Sequence, residues 1–445
     1  MAGIAGIAKR EKSDLVNLML NKISHRGPAG RYLLEDKSCT LGVVWPDSQR
    51  EAGQYLERSG IAIDEVDNGH FAMASSDGFL LKRDPVGASP LYYGHTSDGS
   101  LCFASEVKAL LEATSDVNEL PPGHILDGTQ LHPYEWITYK PLLQFLPEEV
   151  ARELCRRLET AVQKHTGGGE AGVWLSGGLD SSLLAALARP HVQRLHTFSG
   201  GFPGAPDLKH ARLVARQLQS QHHETIVRLK DCLAILPEVI YHLESFDALL
   251  VRSSLINYLV ARLASQFVPA VFSGEGADEL FAGYEYLKNL PLGSLSTELI
   301  EITNQLHNTA LQRVDRCASA HGLIVYVSFL DPDVLDYALR IPARFKIMEG
   351  EEKWILRQAG AGKIPDSILN RPKAKFWDGA GVGELLAQNA EIRISTADFE
   401  REKLLPNGWT LNSKEELMYY RIFREQFGDL KDLSWMGRTK GAPLA

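Results

Sequence analysis

Apolar residues along this chain fall into two regimes. Up to about residue 140 they come in short runs broken by Gly, Asp and Ser, as at residues 3–7, 71–74, 79–82 and 91–93. Runs of that length bounded by turn formers predict strands. One longer segment, residues 13–23, carries Leu15, Leu18, Leu20 and Ile23 and predicts a helix. This half reads as a mostly β or α+β module. Pro141 and the stretch 164–170, with three consecutive glycines, punctuate the passage onward. From Ala171 the pattern alternates. Strand-like residues 173–175, 195–199, 224–227 and 268–272 are interleaved with helical patterns at 181–188, 207–219, 233–243 and 255–264, Asp207 being a candidate N-cap. Alternation of that kind predicts a parallel sheet covered by helices on both faces. The last third is largely helical, closing on a helix over residues 414–427 started by Ser413, with a poorly ordered tail expected after Leu433. The fold class is therefore α/β, with an α+β module over 1–140 and a parallel-sheet module over 141–445.

Composition narrows the function classes. With 445 residues the chain is long enough for two or three domains, and 44% apolar residues give it a sizeable core. A net charge of −9 argues against nucleic acid or an anionic membrane as the main partner. No apolar run reaches the roughly 18 residues of a membrane helix, and the N-terminus is apolar before its charges, the reverse of a secretory signal. The five cysteines, Cys39, Cys102, Cys155, Cys232 and Cys317, lie far apart, so reduced thiols in a cytoplasmic setting are expected.

Two loops carry the chemistry. Ser176-Gly-Gly-Leu-Asp180-Ser181-Ser182 and Ser273-Gly-Glu275-Gly-Ala-Asp278-Glu279 each follow a strand-like run and precede a helical one. Loops at the carboxyl ends of neighbouring strands face one crevice in an open α/β sheet. Glycine and hydroxyl residues at a helix N-terminus can wrap a phosphate. The second loop adds carboxylates, and a phosphate cradle with carboxylates suits a magnesium–nucleotide site. The bland alternative for Asp180 and Asp278 is helix capping. The first loop is not a Walker A sequence. The run Gly379-Ala-Gly381-Val-Gly383 lacks the strand and acidic residue of a dinucleotide fingerprint. His222 and His223 on one strand point to opposite faces and do not read as a metal pair, and His25, His196 and His321 read as structural.

The first loop is similar to the pyrophosphate loop of enzymes that split ATP into AMP and pyrophosphate. With it, nearly the whole chain resembles the glutamine-dependent asparagine synthetases and their β-lactam synthetase relatives. The resemblance rests on Gly3-Ile-Ala-Gly-Ile7, His25-Arg-Gly-Pro28, Arg83-Asp84, Pro90-Leu-Tyr-Tyr93, Phe103-Ala-Ser-Glu106 and Pro122-Gly-His124 in the first half. In the second half it rests on both loops, Pro206-Asp-Leu-Lys209, Phe329-Leu-Asp331, Glu352-Lys353, Arg371-Pro-Lys373, Asp378-Gly379 and Ser413-Lys-Glu415. It implies an N-terminal amidotransferase-like (Ntn) sandwich followed by an adenine-nucleotide α-hydrolase-like synthetase domain. The implied reaction activates a carboxylate as an acyl-adenylate for attack by ammonia or an amine. Ser176, Gly177, Gly178, Ser181 and Ser182 would hold pyrophosphate, and Asp180 and Asp278 would bind Mg²⁺. Leu175, Gly200, Ser273 and Gly274 would contact adenine and ribose. Lys373 and Lys353 would face the phosphates and the reaction intermediate, Arg252 a substrate carboxylate. Glu275 would take a proton from the incoming nitrogen or orient its loop.

The departures matter as much. The family's nucleophilic cysteine follows the initiator methionine; here that position is Ala2, whose methyl group cannot attack glutamine. The family's Arg-Leu-Ser-Ile and Asn-Gly-Glu-Ile-Tyr-Asn segments, expected between about residues 41 and 68, are missing. An engineered Cys→Ala exchange would not erase those segments, so natural loss of the glutaminase is the better account. A glutamate and an arginine of the family become Ile324 and Tyr326, which suggests a larger or less polar acid than aspartate. The expected ligands are ATP, Mg²⁺, a small carboxylic acid and ammonia or an amine. The sequence leaves the assembly open, a homodimer being one state it permits. A lactam- or amide-forming ligase of specialised metabolism and a non-catalytic nucleotide-binding partner protein stand as alternatives.

Overall fold

The computed structural model of this chain describes residues 1–67, 69–372, 379–382 and 385–439. Turn formers cut the first module into β1 (Gly3–Ile7), β2 (Gly30–Glu35), β3 (Thr40–Trp45), β4 (Ile61–Asp67), β5 (His70–Ser75), β6 (Leu80–Arg83), β7 (Tyr92–His95), β8 (Leu101–Ala104), β9 (Asn118–Glu119), β10 (His124–Asp127) and β11 (Gln130–Pro133). They form two sheets, ordered β2-β3-β1-β8-β7-β9 and β11-β10-β6-β5-β4, with antiparallel pairing in both. Ile4, Leu41, Val43, Ala72, Ala74, Leu81 and Phe103 fill the space between the sheets. β1 is buried throughout. Its alternate residues Ala5 and Ile7 face the other way, onto Val16, Met19 and Leu20 of α1 (Ser13–Lys22), as the period-2 alternation of a strand requires. Two shorter helices, α2 (Ala52–Ser59) and α3 (Val107–Leu110), complete this module.

The second module opens with α4 (Pro147–Gln163), whose Val150, Leu154, Leu158 and Val162 form a buried stripe at helical spacing. The glycines expected to form a linker instead begin a strand, β12 (Gly168–Trp174). There follow α5 (Leu179–Ala188), β13 (Val192–Gly201), α6 (Pro206–Leu218), β14 (Gln221–Ile226), α7 (Leu229–Leu243), α8 (Ala248–Ala264), β15 (Ala270–Phe272) and α9 (Ala277–Phe281). Beyond them lie α10 (Leu292–Asn304), α11 (Ala310–Ser319) and β16 (Ile324–Tyr326). The sheet order is β14-β13-β12-β15-β16, every pair parallel. The chain therefore builds outward from β12 to one side, returns, and builds to the other. The order reverses between β12 and β15, and open α/β sheets bind ligands at that point. Both motif loops follow these two strands.

Several sequence expectations are corrected. The N-cap of α6 is Ala205, and Asp207 lies within its first turn with Oδ1 on Arg371 Nη2 at 2.6 Å. The tail after Leu433 is packed as far as Thr439: Trp435 and Met436 are buried, and Thr439 donates N–H and Oγ1 to Asp247 at 3.0 and 2.9 Å. Among the described residues, no helix is long and apolar enough to cross a membrane.

The modules meet over buried polar contacts. His70 at the start of β5 bonds Asp67 Oδ2 through Nδ1 at 3.0 Å and the Leu330 carbonyl through Nε2 at 3.1 Å. Two acceptors on one ring require both nitrogens to be protonated. Burial opposes that charge, but the hydrogen bond to Asp67 and its charge outweigh burial and raise the imidazole above its ordinary 6.5. A raised folded value means stability that is fully present below about pH 6.5 and is lost as pH climbs through the folded value. Unfolding midpoints should fall across that window, and His70→Asn should flatten the fall; an unchanged pH profile in the variant would contradict the assignment.

Candidate active site

A cleft of about 1090 Å³ opens at the switch point, lined on one side by Leu175, Ser176, Asp180 and Ser181 and on the other by Ser273, Gly274, Glu275 and Asp278. The first loop turns tightly. Gly177 has φ +71°, and a Cβ there would lie 2.4 Å from the Ala211 nitrogen, so only glycine fits. Gly178 is the N-cap of α5. Ser176 Oγ accepts from the Gly178 N–H at 3.3 Å and lies 3.0 Å from Ser181 Oγ, which in turn accepts from the Ser176 N–H at 3.2 Å. The Ser182 hydroxyl is fully buried with no hydrogen-bond partner among the described residues. Arg371 clamps the loop from outside, donating Nη1 to the Gly177 carbonyl at 3.0 Å while Nη2 holds Asp207.

The two loops converge on one ammonium group. Lys353 Nζ lies 2.8 and 2.6 Å from the oxygens of Asp180 and 2.5 Å from Asp278 Oδ1. Lys353 is 2% exposed and sits at φ +55°, at the N-cap of helix Trp354–Gly360. A non-glycine residue in that region carries about 1–3 kcal/mol of strain, and such strain gathers at ligand sites. The lysine thus reaches a place where two carboxylates would otherwise repel. The N-cap positions of α5 and α9 belong to Gly178 and Gly276, so each aspartate lies within the first turn of its helix and not at the cap. The carboxylates of Asp180 and Asp278, brought together from two loops, are the hard oxygen donors that a divalent cation takes.

Glu275 lines the same cleft and accepts from Arg313 Nη2 at 2.5 Å. Four residues on, Glu279 is buried and accepts from the Tyr284 hydroxyl. Burial, then the charges of Asp278 and Glu275, push its carboxyl up to about 7. Arg252 reaches the cleft, but its Nε donates to Glu415 Oε1 at 2.8 Å and its Nη2 to the other oxygen, with Tyr419 supporting Glu415 at 2.6 Å. The edge expected to meet a substrate carboxylate is thus taken by Glu415. The N–H groups of Leu175 and Ser273 bond the Phe198 and Tyr326 carbonyls at 2.8 and 2.9 Å, so contacts to a base fall to their other atoms. Gly200 also lines the cleft, yet its lack of a side chain serves packing: a Cβ would lie 2.5 Å from Val260 of α8. Lys373 and Asp378 lie outside the described residues.

Ile324 and Tyr326 do not line the cleft. Ile324 is buried in β16, and Tyr326 stacks on His165 at 4.0 Å. Their exchange therefore does not by itself argue for a less polar acid. The sequence reading missed Arg313, Glu279, Tyr284 and Arg371. Arg313 stands three residues before Arg316 on one helix, a spacing that hinted at a functional face.

Sequence comparisons agree with this geometry. A family model described as Asparagine synthase matches residues 153–301 and 292–440, and one described as Glutamine amidotransferase domain matches residues 54–152. Asparagine synthetase B [glutamine-hydrolyzing] of Escherichia coli (strain K12) is 34% identical over 403 residues, covering 84% of this chain and 72% of that protein. A probable asparagine synthetase [glutamine-hydrolyzing] of Dictyostelium discoideum is 34% identical over 78% of this chain and 69% of its own length. Asparagine synthetase [glutamine-hydrolyzing] 2 of Arabidopsis thaliana is 34% identical over 86% and 71%. The chain belongs to the asparagine synthetase family, a family of ATP-dependent carbon–nitrogen ligases.

Gly177→Ala tests the first loop. It should lower unfolding stability by more than the roughly 1–3 kcal/mol of backbone strain alone, because of the clash with Ala211, and should weaken nucleotide binding; an unchanged denaturant midpoint would contradict the tight turn.

Proposed function

We propose that this protein is an AMP- and pyrophosphate-forming amide synthetase without a working glutaminase. The observation that carries the reading is the convergence of Asp180 and Asp278, from the two loops at the sheet's switch point, on Lys353 at 2.6 and 2.5 Å. A carboxylate is a poor electrophile. Attack of its oxygen on the α-phosphorus of ATP forms an acyl–O–P bond and expels pyrophosphate, and attack of nitrogen on the acyl carbon then releases AMP. Negative charge grows on the phosphates, so N–H donors and cations fixed beforehand lower the barrier. Ser176, Gly177, Gly178, Ser181 and Ser182 surround the departing pyrophosphate. Leu175, Gly200, Ser273 and Gly274 face adenine and ribose. Asp180 and Asp278 would hold Mg²⁺, which would neutralise phosphate charge. Lys353 and Lys373 stabilise phosphate charge, and Glu275 accepts the proton of the incoming nitrogen.

Loss of glutaminase follows from Ala2, which offers no nucleophile and whose carbonyl accepts from Arg26 Nε at 2.9 Å. The nitrogen donor is then ammonia or a substrate amine. Residues 1–140 form the degenerate amidotransferase-like domain and 141–445 the synthetase, working on small molecules in the cytoplasm. Aspartate is the first candidate acid.

The test is exchange of labelled pyrophosphate into ATP with Mg²⁺ and a panel of acids, followed by product analysis with ammonium. An acid-dependent signal with AMP as the spent nucleotide is expected; ADP as the sole product would overturn the proposal. Asp180→Ala and Lys373→Ala should each lower exchange by at least ~100-fold, the scale of losing one charge-stabilising group, with unchanged circular dichroism. Full turnover in either variant would contradict its role.

A further inference from the structure

The N-terminal module reaches the synthetase cleft through one helix. α11 presents Thr309, Ala310 and Arg313 at or beside the cleft, Arg313 holding Glu275 at 2.5 Å. Two residues along a helix is a rotation of about 200°, so Asp315 lies on the opposite face from Arg313. There it meets Arg26, in the 3₁₀ turn Ser24–Arg26 that follows α1 in the first module. Arg26 donates Nη1 and Nη2 to the two Asp315 oxygens at 2.9 Å each, a bidentate pair. Its Nη1 also reaches Glu106 Oε1 at 2.9 Å and Ser319 Oγ, one turn along α11, at 3.3 Å, and its Nη2 reaches Asp64 at 3.0 Å. Next to it, Arg316 Nη2 bonds Glu244 at 3.0 Å and its Nη1 lies 3.1 Å from Glu106. Glu244, at the end of α7, accepts from the N–H groups of Val107 and Lys108 at 3.0 and 2.7 Å. Arg26, Glu106, Lys108, Glu244, Asp315 and Arg316 are all buried.

We propose that Arg26 is a positioning residue of the synthetase: by gripping Asp315 and Ser319 it sets the rotation and height of α11, and so the placement of Arg313 against Glu275 on the acid side of the cleft. The nucleotide side does not depend on this grip. Its loops rest on β12, β15, Lys353 and Arg371, none of which touches Arg26. The module that has no nucleophile is thereby a working part of the ligase, as the fixed support for the helix that lines its acid pocket. This assignment rests on the function proposed above.

The test uses the full chain with Arg26→Gln and Arg26→Lys, and Asp315→Asn in case Arg26→Gln fails to fold, since it keeps the size of the acid while weakening the pair. Three readouts are compared: binding of Mg–ATP by calorimetry, KM and kcat for the acid in pyrophosphate exchange, and the Arg313–Glu275 contact in a crystal structure of each variant. Arg26→Gln or Asp315→Asn should raise KM for the acid at least fivefold and displace the Arg313–Glu275 pair, while Kd for Mg–ATP stays within twofold; Arg26→Lys should recover part of the loss. Equal losses on both sides of the cleft would mean general destabilisation and would overturn the proposal, as would an undisturbed Arg313–Glu275 pair. Failure of the underlying function is read separately, in the unsubstituted chain: if no acid supports exchange there, the ligase reading falls, and the crystal contact alone decides the role of Arg26.

Discussion

Two carboxylates brought to one point need a cation between them, and much of this cleft is arranged around that need. Asp180 leaves the tip of β12 and Asp278 the tip of β15, and Lys353 ties them together from a third segment. At close range in a partly buried site their mutual repulsion is large, because the surroundings screen charge poorly. The left-handed backbone of Lys353 is the local strain accepted so that its ammonium can arrive there. A divalent cation would answer the same electrostatic demand.

A second constraint is the charge buried between the modules. Arg26, Lys108 and Arg316 face Asp64, Glu106, Glu244 and Asp315, all out of water. Isolated ions in such a place would be expensive, and removing one partner of a buried pair typically costs about 3–5 kcal/mol. Here nearly every donor meets an acceptor: Arg26 alone has Ala2, Asp64, Glu106, Asp315 and Ser319. An ionic interface demands one geometry, where an apolar one would tolerate sliding. On the inference drawn above, that specificity is what lets the N-terminal module hold α11 in register.

On the function proposed above, the cleft has one side for phosphate and another for the acid and the nitrogen. On the first, small residues and hydroxyls bond one another around the N-terminus of α5, so the loop is shaped in advance of any ligand. On the second, Glu275, Glu279 and Asp278 crowd one wall, and Arg313 and Tyr284 moderate their charge. Burial, then the charges of Asp278 and Glu275, push Glu279 up to about 7.

The sequence by itself determined the local parts. Alternating apolar runs announced β12, β13 and β15, the two loops announced Asp180, Asp278 and Glu275, and Ala2 announced the missing nucleophile, because strand periodicity, turn chemistry and the identity of a nucleophile are properties of a few adjacent residues. It also placed Lys353 among the candidates, though not its partners. What only the tertiary structure decided were the pairings across long separations: Arg371 with Asp207, Arg252 with Glu415, Arg313 with Glu275, and Arg26 with Asp315. Asp207 reads as a helix cap in sequence and Tyr326 as a residue of the acid pocket, and both readings failed. A side chain's partner depends on where the sheet order brings distant segments, and a parallel sheet that reverses its order at β12 and β15 joins segments that no local pattern connects.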